Sequence, residues 1–118
     1  MSLESRLQSL LLLEAPASLP NLRLFRRNIG EAKLKGGYTV SFGIKGQCDL
    51  YGYTRGGRPP LEIELKGVGG RLSTEQRAWA SWCAEWGIPH IVLTAQKDES
   101  DVETVNRWIE ELRALSVR

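Results

Sequence analysis

Residues 61–66 alternate strictly between apolar and charged side chains, in the order Leu-Glu-Ile-Glu-Leu-Lys. Because successive side chains of a β-strand point to opposite faces, this pattern predicts a strand with one apolar and one charged face. The glycines and prolines of residues 55–60 are typical of a turn, and residues 48–54 before them predict a second strand. The two strands are therefore expected to form a hairpin.

Two helices are predicted after this hairpin, and each begins with a capping-box sequence. Ser73 with Gln76, and Ser100 with Glu103, match the pattern in which the first and fourth residues cap each other's backbone. A strand predicted at residues 89–93 lies between the two helices. The order strand, helix, strand favours a right-handed βαβ unit.

A third helix is predicted near the start of the sequence. Leucines recur at helical spacing over residues 2–13, and Ser2 is available as the N-cap. Pro16 and Pro20 are expected to end this helix, because proline lacks the backbone donor and clashes with the preceding turn.

The middle of the chain predicts further β-structure. Residues 21–28 alternate well enough for a strand, and the glycine- and lysine-rich residues 30–46 predict a flexible excursion that carries a hairpin. The resulting order is helix, three or four strands, helix, strand, helix. We therefore predict an α/β fold in one domain over residues 1–118, with a mixed β-sheet flanked by helices on both faces.

The composition excludes several classes of protein. Hydrophobic residues make up 42% and charged residues 25%, which is typical of a globular domain. The longest apolar run is too short to cross a membrane, and charged residues interrupt any N-terminal signal, so we expect a cytoplasmic protein. Cys48 and Cys83 are expected to be reduced, with one disulfide as the alternative, and His90 to be structural, with catalysis as the alternative.

The basic residues are concentrated in one segment of the chain. Residues 21–58 carry eight Lys and Arg against two acids, a charge of +6, whereas the whole chain carries +2, which leaves −4 elsewhere. Such asymmetry is expected of a face that binds a polyanion, although a solvated basic surface would produce it as well.

Aromatic residues form a stripe on the helix after the hairpin. Trp79, Trp82 and Trp86 fall at i, i+3 and i+7, a spacing more often used for packing than for stacking on nucleic-acid bases. We interpret the stripe as core or subunit interface. The last helix is predicted to present four aliphatic residues on one face: Val102, Val105, Ile109 and Leu112.

Charged side chains near the hairpin are the candidates for chemistry. Glu64 and Lys66 share the charged face of their strand, and Asp49 is expected to come alongside from the preceding strand. Carboxylates bind Mg²⁺ through oxygen, and a neighbouring lysine stabilises the charge that develops on a phosphate undergoing hydrolysis. The simpler interpretation is the polar side of an edge strand, and the pattern alone does not separate the two.

The order of motifs over residues 46–87 resembles the virus-type replication-repair nuclease (VRR-NUC) domain, a branch of the PD-(D/E)XK superfamily. The matching elements are Gly-Gln-Cys-Asp at 46–49, Ile-Glu-Leu-Lys at 63–66, and a glycine loop followed by Leu-Ser-x-x-Gln at 72–76. Arg-Asn-Ile-Gly at 27–30 is similar to an element of short phage-borne members. Cys48 stands where these proteins often have proline.

The resemblance implies a restriction-endonuclease-like fold and a set of site residues. Asp49, Glu64 and the Leu65 carbonyl would bind Mg²⁺ or Mn²⁺, Lys66 would be the catalytic lysine, and Gln76 would contact the site. An acid on the first helix would complete the metal site, with Glu4 as the better match and Glu14 as the alternative. For Gln76, capping and contact with the site are expected to coexist only partly. Glu62 lies outside the family pattern, and we expect it to pair with an arginine, with a role at a second metal ion as the alternative.

The resemblance also implies a function. It favours a structure-selective endonuclease that cuts branched DNA, such as a Holliday junction or a flap, in phage or prophage replication, recombination or repair. A homodimer is expected, through the tryptophan stripe or Ile109 and Leu112, and no organic cofactor or membrane partner. A non-catalytic nucleic-acid-binding module is the alternative. Five basic residues are predicted to contact DNA: Arg26, Arg27, Lys33, Lys35 and Lys45.

Overall fold

The computed structural model describes residues 1–116 as three helices and six strands. The elements are α1 (Leu3–Ser18), β1 (Leu22–Arg26), β2 (Gly30–Lys33), β3 (Thr39–Phe42), β4 (Leu50–Thr54), β5 (Leu61–Lys66), α2 (Thr74–Glu85), β6 (His90–Thr94) and α3 (Asp101–Ser116).

Four of the strands form a mixed sheet in the order β1-β4-β5-β6. The β1–β4 and β4–β5 pairs are antiparallel, and β5–β6 is parallel, with α2 as the crossover between them. The predicted hairpin of β4 with β5 and the predicted βαβ unit are therefore confirmed. β2 and β3 pair separately as a two-stranded antiparallel ribbon, as predicted for residues 30–46.

The main hydrophobic core lies between the sheet and the helices α1 and α3. Leu7 and Leu11 of α1 pack there with Ile63 of β5 and Trp108 of α3, all fully buried. On the opposite face of β5, Trp79 of α2 donates a hydrogen bond to Glu62. Helices thus cover both faces of the sheet, and the predicted α/β fold class is confirmed.

The strand β5 lies between β4 and β6, so its acids are not on an edge strand. Glu62 is 4% exposed and Glu64 is 3% exposed, which places both carboxyl groups in the interior. The interpretation of these residues as the solvated side of an edge strand is therefore wrong. Because burying a carboxylate is costly unless it is paired, each of these two side chains needs a specific partner.

The first helix continues past Pro16, contrary to the sequence prediction. Leu19 N–H donates to Ala15 O at 2.7 Å, so the helical pattern resumes beyond the proline, and α1 ends at Ser18 before Pro20. Pro16 removes only one backbone donor, while Leu11 and Ala15 continue the buried stripe through this turn. Packing against the core thus outweighs the local preference to stop.

The last helix buries the predicted face except in its first turn. Val105, Ile109 and Leu112 are buried as expected, whereas Val102 in the first turn is 59% exposed. Trp108 takes the fourth core position, and its indole N–H donates to Thr94 O at 3.2 Å. None of the helices that the structure describes is long and apolar enough to span a membrane.

Candidate active site

The predicted site residues line one cavity of about 190 Å³ at the end of β5. Asp49 precedes β4, Glu64 and Lys66 belong to β5, Gln76 lies in the first turn of α2, and Glu4 in the first turn of α1. Three polar residues at the start of the first helix also line this cavity: the N-cap Ser2, and Ser5 and Gln8. The sequence indicated Ser2 only as a cap and did not single out Ser5 or Gln8, although Gln8 lies one helical turn after Glu4 and so shares its face.

Asp49 and Glu64 form a close pair of carboxyl groups. Asp49 Oδ2 accepts a hydrogen bond from the Leu65 N–H at 3.0 Å, which fixes the aspartate against β5. Burial of Glu64, together with the hydrogen bond and negative charge of Asp49, raises the pKa of Glu64 to about 9, although Lys66 opposes this shift. In the protein alone, these surroundings therefore favour the protonated form of Glu64.

Lys66 is held by Gln76 on the other side of the cavity. Its Nζ donates to Gln76 Oε1 at 2.8 Å, and the Ser73 N–H donates to the same oxygen at 2.8 Å. Ser73 Oγ in turn accepts from the Gln76 N–H, which completes the predicted capping box. One carbonyl oxygen has two lone pairs, so capping and contact with Lys66 coexist fully, and the expected competition between them is wrong.

Of the two acids considered on α1, only Glu4 reaches the cavity. Its Oε1 accepts a hydrogen bond from the Gly67 N–H at 3.0 Å, which joins the start of α1 to the end of β5. Glu14 lies ten residues further along the helix, about 15 Å away at the usual helical rise, and is exposed.

The chemistry of the ligand set fits Mg²⁺ or Mn²⁺. Asp49 and Glu64 offer carboxylate oxygens, and Leu65, whose side chain is in the core, lines the cavity with its backbone. Within residues 1–116, no three His, Cys, Asp or Glu side chains form a ready-made cage, but Mg²⁺ typically takes one or two carboxylates and completes its shell with water and phosphate. A cation beside Asp49 and Glu64 would favour the charged form of Glu64, which burial and the neighbouring Asp49 disfavour in the protein alone.

Gly46 allows the chain to pass close to the start of α2. Its φ is +98°, and a Cβ added there would lie 2.4 Å from the backbone oxygen of Glu75. Only glycine satisfies both constraints, which explains why this residue precedes Asp49 in the motif. The contact sets the position of the α2 N-terminus, and hence of Gln76, relative to Asp49.

A buried ion pair between Arg27 and Glu62 lies next to the site. The guanidinium of Arg27 donates to both carboxylate oxygens of Glu62, at 2.5 and 2.7 Å, and Trp79 Nε1 donates to Glu62 Oε1 at 2.9 Å. Arg27 also contacts the residues at the start of β4, through its side chain to Cys48 O at 3.3 Å and its backbone N–H to Asp49 O at 2.9 Å. The expected pairing of Glu62 with an arginine is confirmed.

The sheet separates the basic residues of segment 21–58 into two groups. Arg26 pairs in register with Leu50, next to Asp49, whereas Arg23 pairs with Tyr53 toward the other end of the strands. Lys45 lies 3.6 Å from Glu75 at the start of α2. The predicted DNA contacts Arg26 and Lys45 thus lie at the site end, while Arg27 is occupied by Glu62.

The tryptophan stripe forms a ladder on the surface rather than in the core. Trp79 stacks on Trp82 with ring centres 4.8 Å apart, and Trp82 stacks on Trp86 at 5.7 Å. Trp82 is 39% and Trp86 is 69% exposed. Placement in the core is therefore wrong for these two residues, because α2 buries Cys83 and the hydrogen-bonded side of Trp79 instead.

The remaining residues singled out earlier are two cysteines and one histidine. Cys48 and Cys83 are fully buried and free, as expected, and burial raises the pKa of both thiols. His90 is half-buried on β6, where burial lowers its pKa. None of these three lines the cavity that contains Asp49.

Comparison with known proteins supports the fold. The sequence matches no protein-family profile and no curated protein. The structure is similar to that of Hjc, a Holliday junction resolvase from the archaeal hyperthermophile Archaeoglobus fulgidus, with a TM-score of 0.50 and 19% identity. The match covers 81% of this chain and 71% of the resolvase. The likeness confirms the restriction-endonuclease-like fold, and the resemblance to VRR-NUC domains stays a prediction.

Proposed function

We propose that the chain is a metal-dependent DNA endonuclease with a preference for branched DNA, in phage or prophage replication, recombination or repair. The observation that carries this proposal is the convergence of Asp49, Glu64, Lys66 and Gln76 in one polar cavity. These residues come from separate parts of the sequence, and their types are those that phosphodiester hydrolysis requires.

Each residue around the cavity would have a separate role in hydrolysis. When bound by Asp49, Glu64 and the Leu65 carbonyl, Mg²⁺ or Mn²⁺ would lower the pKa of a water molecule and neutralise charge on the phosphate. The ammonium of Lys66, aimed by Gln76, stabilises the negative charge that develops on the phosphate oxygens. Glu4 fixes the Gly67 backbone directly after this lysine.

The distribution of charge supports DNA as the substrate. Arg26 and Lys45 lie at the same end of the sheet as the cavity, and the ribbon with Lys33 and Lys35 begins three residues after Arg27. Cations at this end would neutralise backbone phosphates on either side of the cut. The similar fold of a junction resolvase supports branched DNA over uniform duplex.

The exposed tryptophan ladder supports a homodimer. Large contiguous exposed apolar patches are uncommon on monomers, and aromatic residues are enriched in subunit interfaces. A second copy on Trp82 and Trp86 would create a two-fold dimer with two active sites, which suits a branched substrate with paired strands. Ile109 and Leu112, the other predicted dimer surface, are buried in the core and are no longer candidates.

The proposal is tested by incubating the protein with labelled duplex, flap and four-way-junction DNA, with Mg²⁺ or Mn²⁺ and in a chelator. We expect metal-dependent cutting, fastest on a branched substrate, and its loss in Asp49→Asn, which keeps the shape of the side chain. Binding without cutting under any divalent metal would favour the non-catalytic module, for which the +6 segment is sufficient.

A further inference from the structure

The ribbon of β2 and β3 projects from the fold with little to hold it in place. It pairs only with itself, and the side chains described along residues 31–41 are exposed on both strands and on the turn between them. These include large apolar side chains such as Tyr38, which is 73% exposed. Because a two-stranded ribbon is marginally stable in water by itself, this segment is expected to be completed by a partner.

The base of the ribbon lies beside the active site. Arg27, three residues before β2, donates its backbone N–H to Asp49 O. After β3 the chain passes close to the residues before β2, as shown by the 2.9 Å between Asn28 O and a Cβ added at Gly43. It then reaches the start of α2 at Gly46. The start of β2 and the end of β3 therefore both lie near the candidate metal ligand Asp49.

The charge of this segment identifies the class of partner. Between residues 30 and 48 the chain has three lysines and one acid, Glu31. Lys33 ends β2, Lys35 lies in the turn, and Lys45 follows β3. Positive charge with exposed apolar side chains, next to a cavity suited to phosphate chemistry, complements nucleic acid rather than a basic or neutral protein surface.

We propose that the β2–β3 ribbon lies in a groove of the duplex arm next to the cut, with Lys33 and Lys35 on its phosphates. The ribbon consists of two antiparallel strands of four residues each, and the major groove, about 12 Å wide, admits a two-stranded ribbon. The ribbon thus makes the enzyme require double-stranded DNA beside the scissile phosphate. This inference rests on the proposed function, because it takes DNA to be the substrate.

The first test compares two double variants that each remove two positive charges. Lys33→Ala/Lys35→Ala changes the ribbon, whereas Arg23→Ala/Arg55→Ala removes exposed charges at the end of the sheet away from the cavity. We expect the ribbon variant to weaken binding of duplex and junction DNA at least about 10-fold, and to reduce the slope of log Kd against log salt by about 2. The far-end variant and the binding of single strands are expected to change less than about 3-fold.

Equal losses in the two variants, or equal losses on duplex and single-stranded DNA, would overturn the inference, because either result indicates general electrostatic attraction. Metal-dependent cleavage of the same substrates is measured with the wild type and the far-end variant, whose two arginines do not line the cavity. This arm separates failure of the ribbon inference from failure of the nuclease proposal.

The second test locates the tip of the ribbon directly. The native thiols of Cys48 and Cys83 are fully buried, so Tyr38→Cys introduces an exposed thiol to which a photo-crosslinker attaches selectively. With Ca²⁺ in place of Mg²⁺, crosslinks are expected within the duplex arm next to the cut. Crosslinks to single-stranded ends, or to a second copy of the chain instead of DNA, would overturn the proposal. Crosslinks to the arm with an uncut substrate under Mg²⁺ would retain the ribbon and reject the nuclease.

Discussion

Arg27 and Glu62 show how a single residue pair links separate parts of the fold. Their ion pair is nearly inaccessible to water, with side-chain exposures of 16% and 5%, and it connects the end of β1 to β5 and to Trp79 of α2. The hydrogen bond to Glu62 is the main reason that the pKa of Arg27 is raised. The pair keeps two charges in the interior only as long as both partners are present.

We predict that Arg27→Ala destabilises the protein by about 3–5 kcal/mol, because Glu62 is left buried without its partner. The matched control is Arg27→Met/Glu62→Leu, which removes both charges and is expected to recover most of the loss. Chemical denaturation of the two variants measures the difference. A double variant as unstable as Arg27→Ala would show that lost packing, and not the unpaired carboxylate, is the cause.

Glu99 gives the protein a predictable response to acid. It accepts hydrogen bonds from Arg107 and Thr104, and these, with the charge of Arg107 outweighing burial, lower the pKa of Glu99 to about 2 from 4.5. Because folding lowers the pKa of Glu99, its ionised carboxylate stabilises the folded state above pH 4.5. This contribution to stability is lost as the pH falls from 4.5 towards 2. Glu99→Gln is therefore expected to flatten the fall in thermal stability across this range.

The exposed Glu85→Gln on α2 is the control for this measurement, made as melting temperature against pH. It removes an acid of the same type without touching Arg107. A loss of stability with acid that is as steep in Glu99→Gln as in the wild type would show that Glu99 does not carry the response.

At the scale of elements, the predictions that rest on local chemistry are correct, whereas those that depend on packing between elements are wrong. Both capping boxes form as predicted, because the partners are only three residues apart. Pro16 fails to end α1, and Trp82 is exposed although its spacing suggested a buried face. Whether a helix face packs on the sheet depends on residues that are distant in the sequence, so a local pattern does not predict it.

The approach of Gly46 to α2 gives a prediction about element packing. Gly46→Ala is expected to destabilise the fold by about 1–3 kcal/mol more than Gly56→Ala. Both glycines have φ near +100°, so alanine strains the backbone alike in the two variants. Only at Gly46 does the new Cβ meet another backbone, that of Glu75, whereas nothing lies within 4 Å at Gly56. Equal free energies of unfolding would show that the helix moves away without cost.

For the whole molecule, the sequence predicts the candidate active-site cavity better than the surfaces around it. Asp49, Glu64, Lys66, Gln76 and Glu4 come together because the hairpin, the βαβ crossover and the first helix fix their ends of the sheet. The role of Arg27 was not predictable, since a basic residue in a basic segment gives no sign that it pairs inward. The exposure of Trp82 and Trp86 likewise depends on how the helix is rotated in the assembled fold.

The most direct test of the account is single-turnover cleavage of a four-way junction by the wild type, Lys66→Ala and Lys97→Ala in Mg²⁺. We predict that Lys66→Ala lowers the cleavage rate at least about 100-fold while the affinity for DNA stays within a few-fold, since Lys66 acts on the transition state. Lys97, exposed and away from the cavity, is expected to be dispensable. Cleavage by Lys66→Ala at the wild-type rate would contradict the assignment of the activity to this site.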